Sequence, residues 1–227
     1  RAILALAVCI VLTTAFSMLA GFFMAKFKMH PFISTMANML IIFGLVTYAT
    51  KGVSFGAIDS AIPAMFIPQI GKFPTIILWA VVAIIVVWFI WNKTTFGKNL
   101  YAVGGNPEAA AVSGISVFKV TLGAFILAGI LYGFGSWREC NRMVGSGSAA
   151  YGQGWDMDAI AACVVGGVSF TGGIGKISGV VTGVLIFTSL TYSLTILGID
   201  TNLQFIFEGI IILAAVTLDC LKYVQKK

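Results

Sequence analysis

The sequence predicts an all-α integral membrane protein, a polytopic helical bundle interrupted by a broken or re-entrant Gly-rich segment. Three observations predict it. Hydrophobic residues make up 59% of the 227 and charged residues only 10%, whereas a soluble domain carries about 25% charged residues. The mean hydropathy is +1.01, too apolar for a surface that faces water throughout. The apolar residues also fall in runs close to the roughly 20 residues that a helix needs to cross a bilayer.

The first run, Ala2–Ala25, follows directly on Arg1 and exceeds the about 7–15 residues of a signal-peptide core. The sequence is therefore read as the C-terminal portion of a longer chain, within one transmembrane domain over 1–227. Phe32–Thr50, Thr75–Trp91, Val120–Trp137, Ile177–Leu197 and Phe205–Leu221 complete the six expected spans. Trp79, Trp88, Trp91 and Trp137 lie near span ends, as interfacial aromatics do. A further apolar stretch, Ala159–Phe170, is too short and runs into glycines. It is the broken or re-entrant element, tolerable at membrane depth only under cover of protein or a wet cavity.

Charge position orients the chain. Lys26, Lys28, Lys93, Lys98, Lys119, Lys176, Lys222, Lys226 and Lys227 share one side if 159–170 crosses or nearly crosses, leaving Arg1, Lys51, Lys72, Arg138 and Arg142 opposite. The positive-inside rule makes the first side, and the C-terminus, cytoplasmic. The loops 51–74 and 138–157 are then external, and 92–118 is the largest cytoplasmic loop. The net charge of +6 forms no basic patch with interleaved aromatics, so nucleic acid is excluded as a partner.

Inside that loop, Asn106 is suited to cap a helix, Pro107 to begin it and Glu108 to meet the positive end of its dipole. Ala109, Ala110 and Ala111 favour helix, Val112 extends it, and Gly114 ends it in a left-handed conformation. About two turns are too few to persist alone in water. The element is either a connector on the membrane surface or a peg for a cleft on a cytoplasmic partner.

Gly175, Gly179 and Gly183 recur every fourth residue, a spacing that admits a second helix closely; Gly129 and Gly133 repeat it. At about 100° per residue, Thr188, Thr191 and Thr195 share another face. They are candidates to line a translocation path, though membrane threonines also bond their own helix carbonyls. Asn38 is costly inside a span unless it is paired or faces a polar route. Glu139 and Arg142 are spaced to pair across one turn or to meet an external partner, and Asp156 and Asp158 are placed to cap the short element. "GGIGKIS" (172–178) fails as a phosphate loop, because Phe170 and Ile177 stand where a glycine and a Ser/Thr are required. Cys9, Cys140, Cys163 and Cys220 lack Cys-x-x-Cys spacing and are read as packing residues. His30 is read as a solvated loop residue. No catalytic or metal-binding set is expected, so the chain is not itself an enzyme and binds no cofactor.

Three stretches carry a resemblance. "WNKTTFGKNLYAVGGNPEAAAVSGI" (91–115), "DAIAACVVGGVSFTGGIGKISGVVTGVLIF" (158–187) and "LQFIFEGIIILAAVTLDCLKY" (203–223) resemble, in order, the cytoplasmic loop, Gly-rich signature and last membrane helix of bacterial ABC-importer permeases of the ribose/xylose/galactose class. The resemblance implies the translocation subunit of a monosaccharide importer, galactose-like in substrate, in the bacterial inner membrane. It also implies a homodimer of permeases, ABC ATPase subunits carrying ATP and Mg on the cytoplasmic side, and a periplasmic or extracellular sugar-binding protein. The peg reading is favoured by it, with Asn106, Pro107, Glu108, Ala110, Val112 and Gly114 docking on the ATPase. "STMAN" (34–38), "DMD" (156–158), "TYSL" (191–194) and Glu208 depart from the family's usual pattern and bear on which sugar is carried. The competing reading is an ion- or proton-coupled secondary sugar transporter, which tends to place ionisable groups near the bilayer midplane.

Overall fold

A computed structural model describes residues 2–54, 69–70, 73–142, 147–169 and 171–224. Its helices are α1 (Ala2–Phe27), α2 (Pro31–Thr50), α3 (Thr75–Lys93), α4 (Thr95–Gly105), α5 (Pro107–Val112), α6 (Val117–Arg142), α7 (Trp155–Val165), α8 (Ile177–Ile196) and α9 (Thr201–Val224). A two-residue antiparallel pair, Gln69↔Pro74 and Ile70↔Phe73, is too short to change the all-α class. Most of the expected loop 51–74 lies outside the described residues. So do Phe170, Lys226 and Lys227, and the side chains of Arg142, Asp219, Cys220 and Lys222.

Among the described residues five helices are long and apolar enough to cross a membrane: Ile3–Phe27, Pro31–Thr50, Thr75–Lys93, Val117–Cys140 and Ile177–Ile196. In α9 the apolar part is Leu203–Thr217, with Glu208 inside it. Large apolar side chains point outward along these helices: Leu4 is 70% and Leu185 63% exposed. In water that would forfeit most of the hydrophobic stabilisation. In lipid it costs nothing, and association rests instead on close packing and interhelical hydrogen bonds.

The chain divides into two compact units, 1–103 with 108–151, and 104–107 with 152–227. In the first, α1 and α6 run antiparallel in close contact. A methyl group at Gly129 would stand 2.6 Å from the Thr14 Cα, and one at Gly133 2.5 Å from the Ile10 Cα. Across this seam Ser17 Oγ donates to the Phe125 carbonyl at 2.6 Å, and Thr13 Oγ1 reaches the Gly129 carbonyl at 2.8 Å. α2 returns beside α1, where Ser34 Oγ donates to the Ala20 carbonyl at 2.9 Å. Near the end of α6, Trp79 of α3 lies 5.5 Å from Phe134, and the Arg138 guanidinium sits 5.8 Å over the Trp79 ring. That contact gives an apolar-bodied cation an aromatic partner.

In the second unit α7, α8 and α9 pack around Ala161, Ala162 and Phe187, flanked by Ile211 and Ile212. A methyl group on Gly183 would overlap the Ala162 carbonyl oxygen and approach the Gly166 nitrogen to 2.7 Å. Gly179 and Gly166 touch the same way, backbone to backbone. Gly175 differs from the expected trio: it precedes α8 and packs against the Val168 side chain, 3.3 Å from a methyl position. The four-residue repeat therefore works as a helix face only at Gly179 and Gly183.

Candidate functional site

The site begins where α3 passes into α4. Thr94 Oγ1 accepts from the Gly97 N–H at 3.2 Å and lies 2.6 Å from the Ile90 carbonyl oxygen. It thus caps α4 while tying back to the last turn of α3. Gly97 is buried against the carbonyls of Trp91 and Ile90. Any side chain there would push the two helices apart, so the corner has one geometry.

α5 follows as an independent short helix. Its end is a complete Schellman closure: Ile115 N–H donates to the Ala110 carbonyl and Gly114 N–H to that of Ala111, each at 3.0 Å. Gly114 holds φ at +83°, a conformation disfavoured for residues with a Cβ. Ser116 then caps α6, its Oγ accepting from the Lys119 N–H at 3.4 Å. The six residues of α5 are thus closed at their C-terminal end, and α6 is capped directly after them.

The faces of α5 are distinct. Val112 is 91% exposed, with Pro107, Glu108, Ala109 and Ala111 exposed as well, whereas Ala110 is only 4% exposed. The expectation that Ala110 belongs to a docking surface is corrected here. It faces inward and anchors the helix, because on two turns at about 100° per residue at least one position must point back to the protein. Asn106, Glu108 and Ala109 are engaged in interactions within the chain.

Sequence reading missed one contact. Gly104 and Gly105, at the end of α4, meet Gly172 and Gly173 backbone to backbone. A methyl group at Gly104 would stand 2.7 Å from the Gly173 nitrogen, one at Gly172 2.8 Å from the Gly104 oxygen, and one at Gly173 2.6 Å from the Gly105 Cα. Gly172 and Gly173 have φ of +97° and +73°. They sit in a turn closed by Ser169 N–H donating to the Ile174 carbonyl at 3.0 Å. Within it, Ser169 Oγ and Thr171 Oγ1 are 2.9 Å apart in a hydrogen bond. The signal in the sequence was the recurrence of a Gly-Gly pair in each stretch, but nothing in one dimension says that the two pairs meet.

The polar candidates separate into two groups. Thr191 Oγ1 lies 3.1 Å from the Thr188 carbonyl and 3.2 Å from that of Phe187, and Thr195 Oγ1 lies 3.0 Å from the Thr191 carbonyl. Their hydroxyl protons are thus accommodated by their own helix, and Thr188 is exposed beside them. By contrast, Asn38 Oδ1 in α2 is buried with no hydrogen-bond partner among the described residues, as are Thr14 Oγ1, Thr47 Oγ1 and Thr75 Oγ1. Asp156 and Asp158 lie in the first turn of α7, whose capping residue is Gly154 and receives no side-chain cap. Their expected capping role is replaced by charge at the positive helix end. Burial, and then the Asp156 carboxylate, push the Asp158 carboxyl upward. Glu139 accepts from the Tyr151 hydroxyl at 2.6 Å; a Glu139–Arg142 pair lies outside the described residues. Among the described residues no group of three or more His, Cys, Asp or Glu is arranged to hold a metal ion.

A family model described as "Branched-chain amino acid transport system / permease component" matches residues 2–216. The galactose/methyl galactoside import permease protein MglC of Treponema pallidum (strain Nichols) is 52% identical over 236 residues, covering 100% of this chain and 44% of that protein. MglC of Escherichia coli (strain K12) is 45% identical over 214 residues, 91% of this chain and 63% of that protein. The L-arabinose transport system permease protein AraH of the same strain is 37% identical over 206 residues, 91% of this chain and 62% of that protein. The chain thus spans between 44% and 63% of these three relatives. No solved structure matches it.

Proposed function

We propose a function from one established premise: the chain belongs to the family of transport-system permease components whose model matches residues 2–216. Such a component conducts a solute and catalyses no bond-breaking of its own. On that premise the chain is the translocation portion of an ATP-binding-cassette importer for a monosaccharide of the galactose or methyl galactoside kind. Similarity over the full chain to a galactose/methyl galactoside permease supports the substrate class. The observation that carries the coupling is α5, a capped six-residue helix with Val112 91% exposed and Ala110 buried beneath it.

In this reading two permease copies sit in the inner membrane with their C-termini in the cytoplasm. ATPase subunits, which hold the ATP and Mg, receive α5, and a sugar-binding protein delivers substrate on the other side. Closure of the ATPases displaces α5, and the spans exchange between two arrangements. Moving such an equilibrium from 1:99 to 99:1 takes about 5.5 kcal/mol of differential interaction. A helix anchored through Ala110 and closed at Gly114 carries that load better than a frayed one. Along the route, Asn38 offers an acceptor to sugar hydroxyls, while Thr188, Thr191 and Thr195 supply a polar face of lower demand.

The test is uptake of radiolabelled methyl galactoside into proteoliposomes holding the full-length permease, its ATPase and its binding protein. Uptake requires ATP, and Val112→Asp lowers it by at least about tenfold, the cost of putting a charge into a desolvated docking contact. The variant still inserts and folds, because Val112 touches little of its own chain. Uptake driven by a proton gradient without ATP, or undiminished in Val112→Asp, overturns the reading.

A further inference from the structure

We propose that the contact of Gly104–Gly105 with Gly172–Gly173 is a mechanical clasp, through which movement of the coupling helix is delivered to the Gly-rich turn and so to α7 and α8. The inference rests on the coupling role proposed for α5 and adds the path the force takes. Helices α4 and α5 join through a single residue, Asn106, so displacement of α5 pulls on Gly105 before it reaches anything else along that direction of the chain. Gly104–Pro107 group with 152–227 and not with their own sequence neighbours.

Three features make the contact a transmitter and not a loose neighbour. Main chain touches main chain, with no side chain between to absorb displacement by changing rotamer: the Gly104 methyl position is 2.7 Å from the Gly173 nitrogen and that of Gly173 is 2.6 Å from the Gly105 Cα. The receiving turn is tied by the Ser169 N–H bond to the Ile174 carbonyl and by the hydrogen bond between the buried Ser169 hydroxyl and Thr171. Beyond it, the turn runs into α8, which meets the end of α7 again by backbone contact, Gly179 on Gly166 and Gly183 on Ala162. Close-packed elements of this kind switch between discrete arrangements and do not deform continuously.

The structure supplies its own control. A methyl group at Gly105 meets nothing within 4 Å, whereas at Gly104, one residue away, it meets the Gly173 backbone. Gly104→Ala and Gly105→Ala are therefore compared in the full-length permease reconstituted with its ATPase and binding protein, reading methyl galactoside taken up per ATP hydrolysed. That ratio does not move when a variant merely lowers the amount of assembled complex. The expected result is a fall of roughly tenfold in Gly104→Ala with hydrolysis retained, and less than about twofold in Gly105→Ala. Ser169→Ala adds no atoms and loosens the turn, so it decides the matter if Gly104→Ala does not assemble; its ratio falls in the same direction. Equal ratios in the two glycine variants overturn the clasp, as does an unchanged ratio in Ser169→Ala where Gly104→Ala is lost. Failure here, in a complex that couples ATP to uptake and that Val112→Asp uncouples, removes the clasp alone. Absence of ATP-driven uptake in the unaltered complex removes the coupling reading itself.

Discussion

Gly183→Ala is the sharpest probe of how the second unit is built. A single methyl group at this position overlaps the Ala162 carbonyl oxygen and comes within 2.7 Å of the Gly166 nitrogen and 2.8 Å of its Cα. All three atoms are main chain, so no rotamer change relieves the clash and the helices must separate. An ordinary carbon-to-oxygen approach is about 3.3–3.6 Å, so the required shift is on the order of 1 Å. It also loosens the packing of Ala161, Ala162 and Phe187, all 5% exposed or less. Extra methylenes in tight packing cost about 1–3 kcal/mol; with backbone on both sides the upper value applies, roughly a hundredfold in the folded fraction. Gly44→Ala in α2 is the matched control, since a methyl group there meets nothing within 4 Å. Both variants are titrated with denaturing detergent in micelles and followed by tryptophan fluorescence. Gly183→Ala unfolds at clearly lower denaturant and Gly44→Ala at the same or higher. A Gly183→Ala protein as stable as the parent to within about 0.5 kcal/mol would refute backbone contact as the basis of the α7–α8 seam.

Three further outcomes follow from single residues. Gly114→Ala forces a Cβ into a left-handed conformation at a cost of about 1–2 kcal/mol, so the Ile115 amide, bonded to Ala110, exchanges with deuterium at least about fivefold faster. Asn38→Leu removes a buried acceptor that has no partner among the described residues, so detergent stability holds or rises while methyl galactoside uptake falls; a clear loss of stability would instead mark Asn38 as a structural hydrogen-bonding residue. Ser17→Ala deletes the 2.6 Å bond from α1 to the Phe125 carbonyl and lowers stability by about 0.6 kcal/mol, the average for interhelical hydrogen bonds in membranes, measured by the same titration.

Glycine has two different tasks in this chain. At Gly114 it supplies a backbone angle, which ends a helix too short to end itself. At Gly104, Gly129 and Gly183 it supplies absence of volume, which lets main chains touch. The second task matters most in lipid, where burying apolar surface gives little preference for one helix pairing over another. Close approach and the few carbonyl-directed hydroxyls of Thr13, Ser17 and Ser34 are then what distinguish the right partner from a wrong one.

Membrane class, the apolar helices and the short helix after Asn106 were all decided by local chemistry: apolar run length, proline at a helix start, glycine at its end. Each depends on residues within a turn or two of one another, and so each is visible in one dimension. The inward turn of Ala110, the loss of Gly175 from the glycine face and the meeting of the two Gly-Gly pairs were decided only by tertiary packing. Gly104 and Gly173 are far apart in sequence and have no side chains whose pattern could announce a partner. Which backbone segments touch depends on how α4 leaves α3 and how the turn leaves α7, and that is a property of the folded chain as a whole.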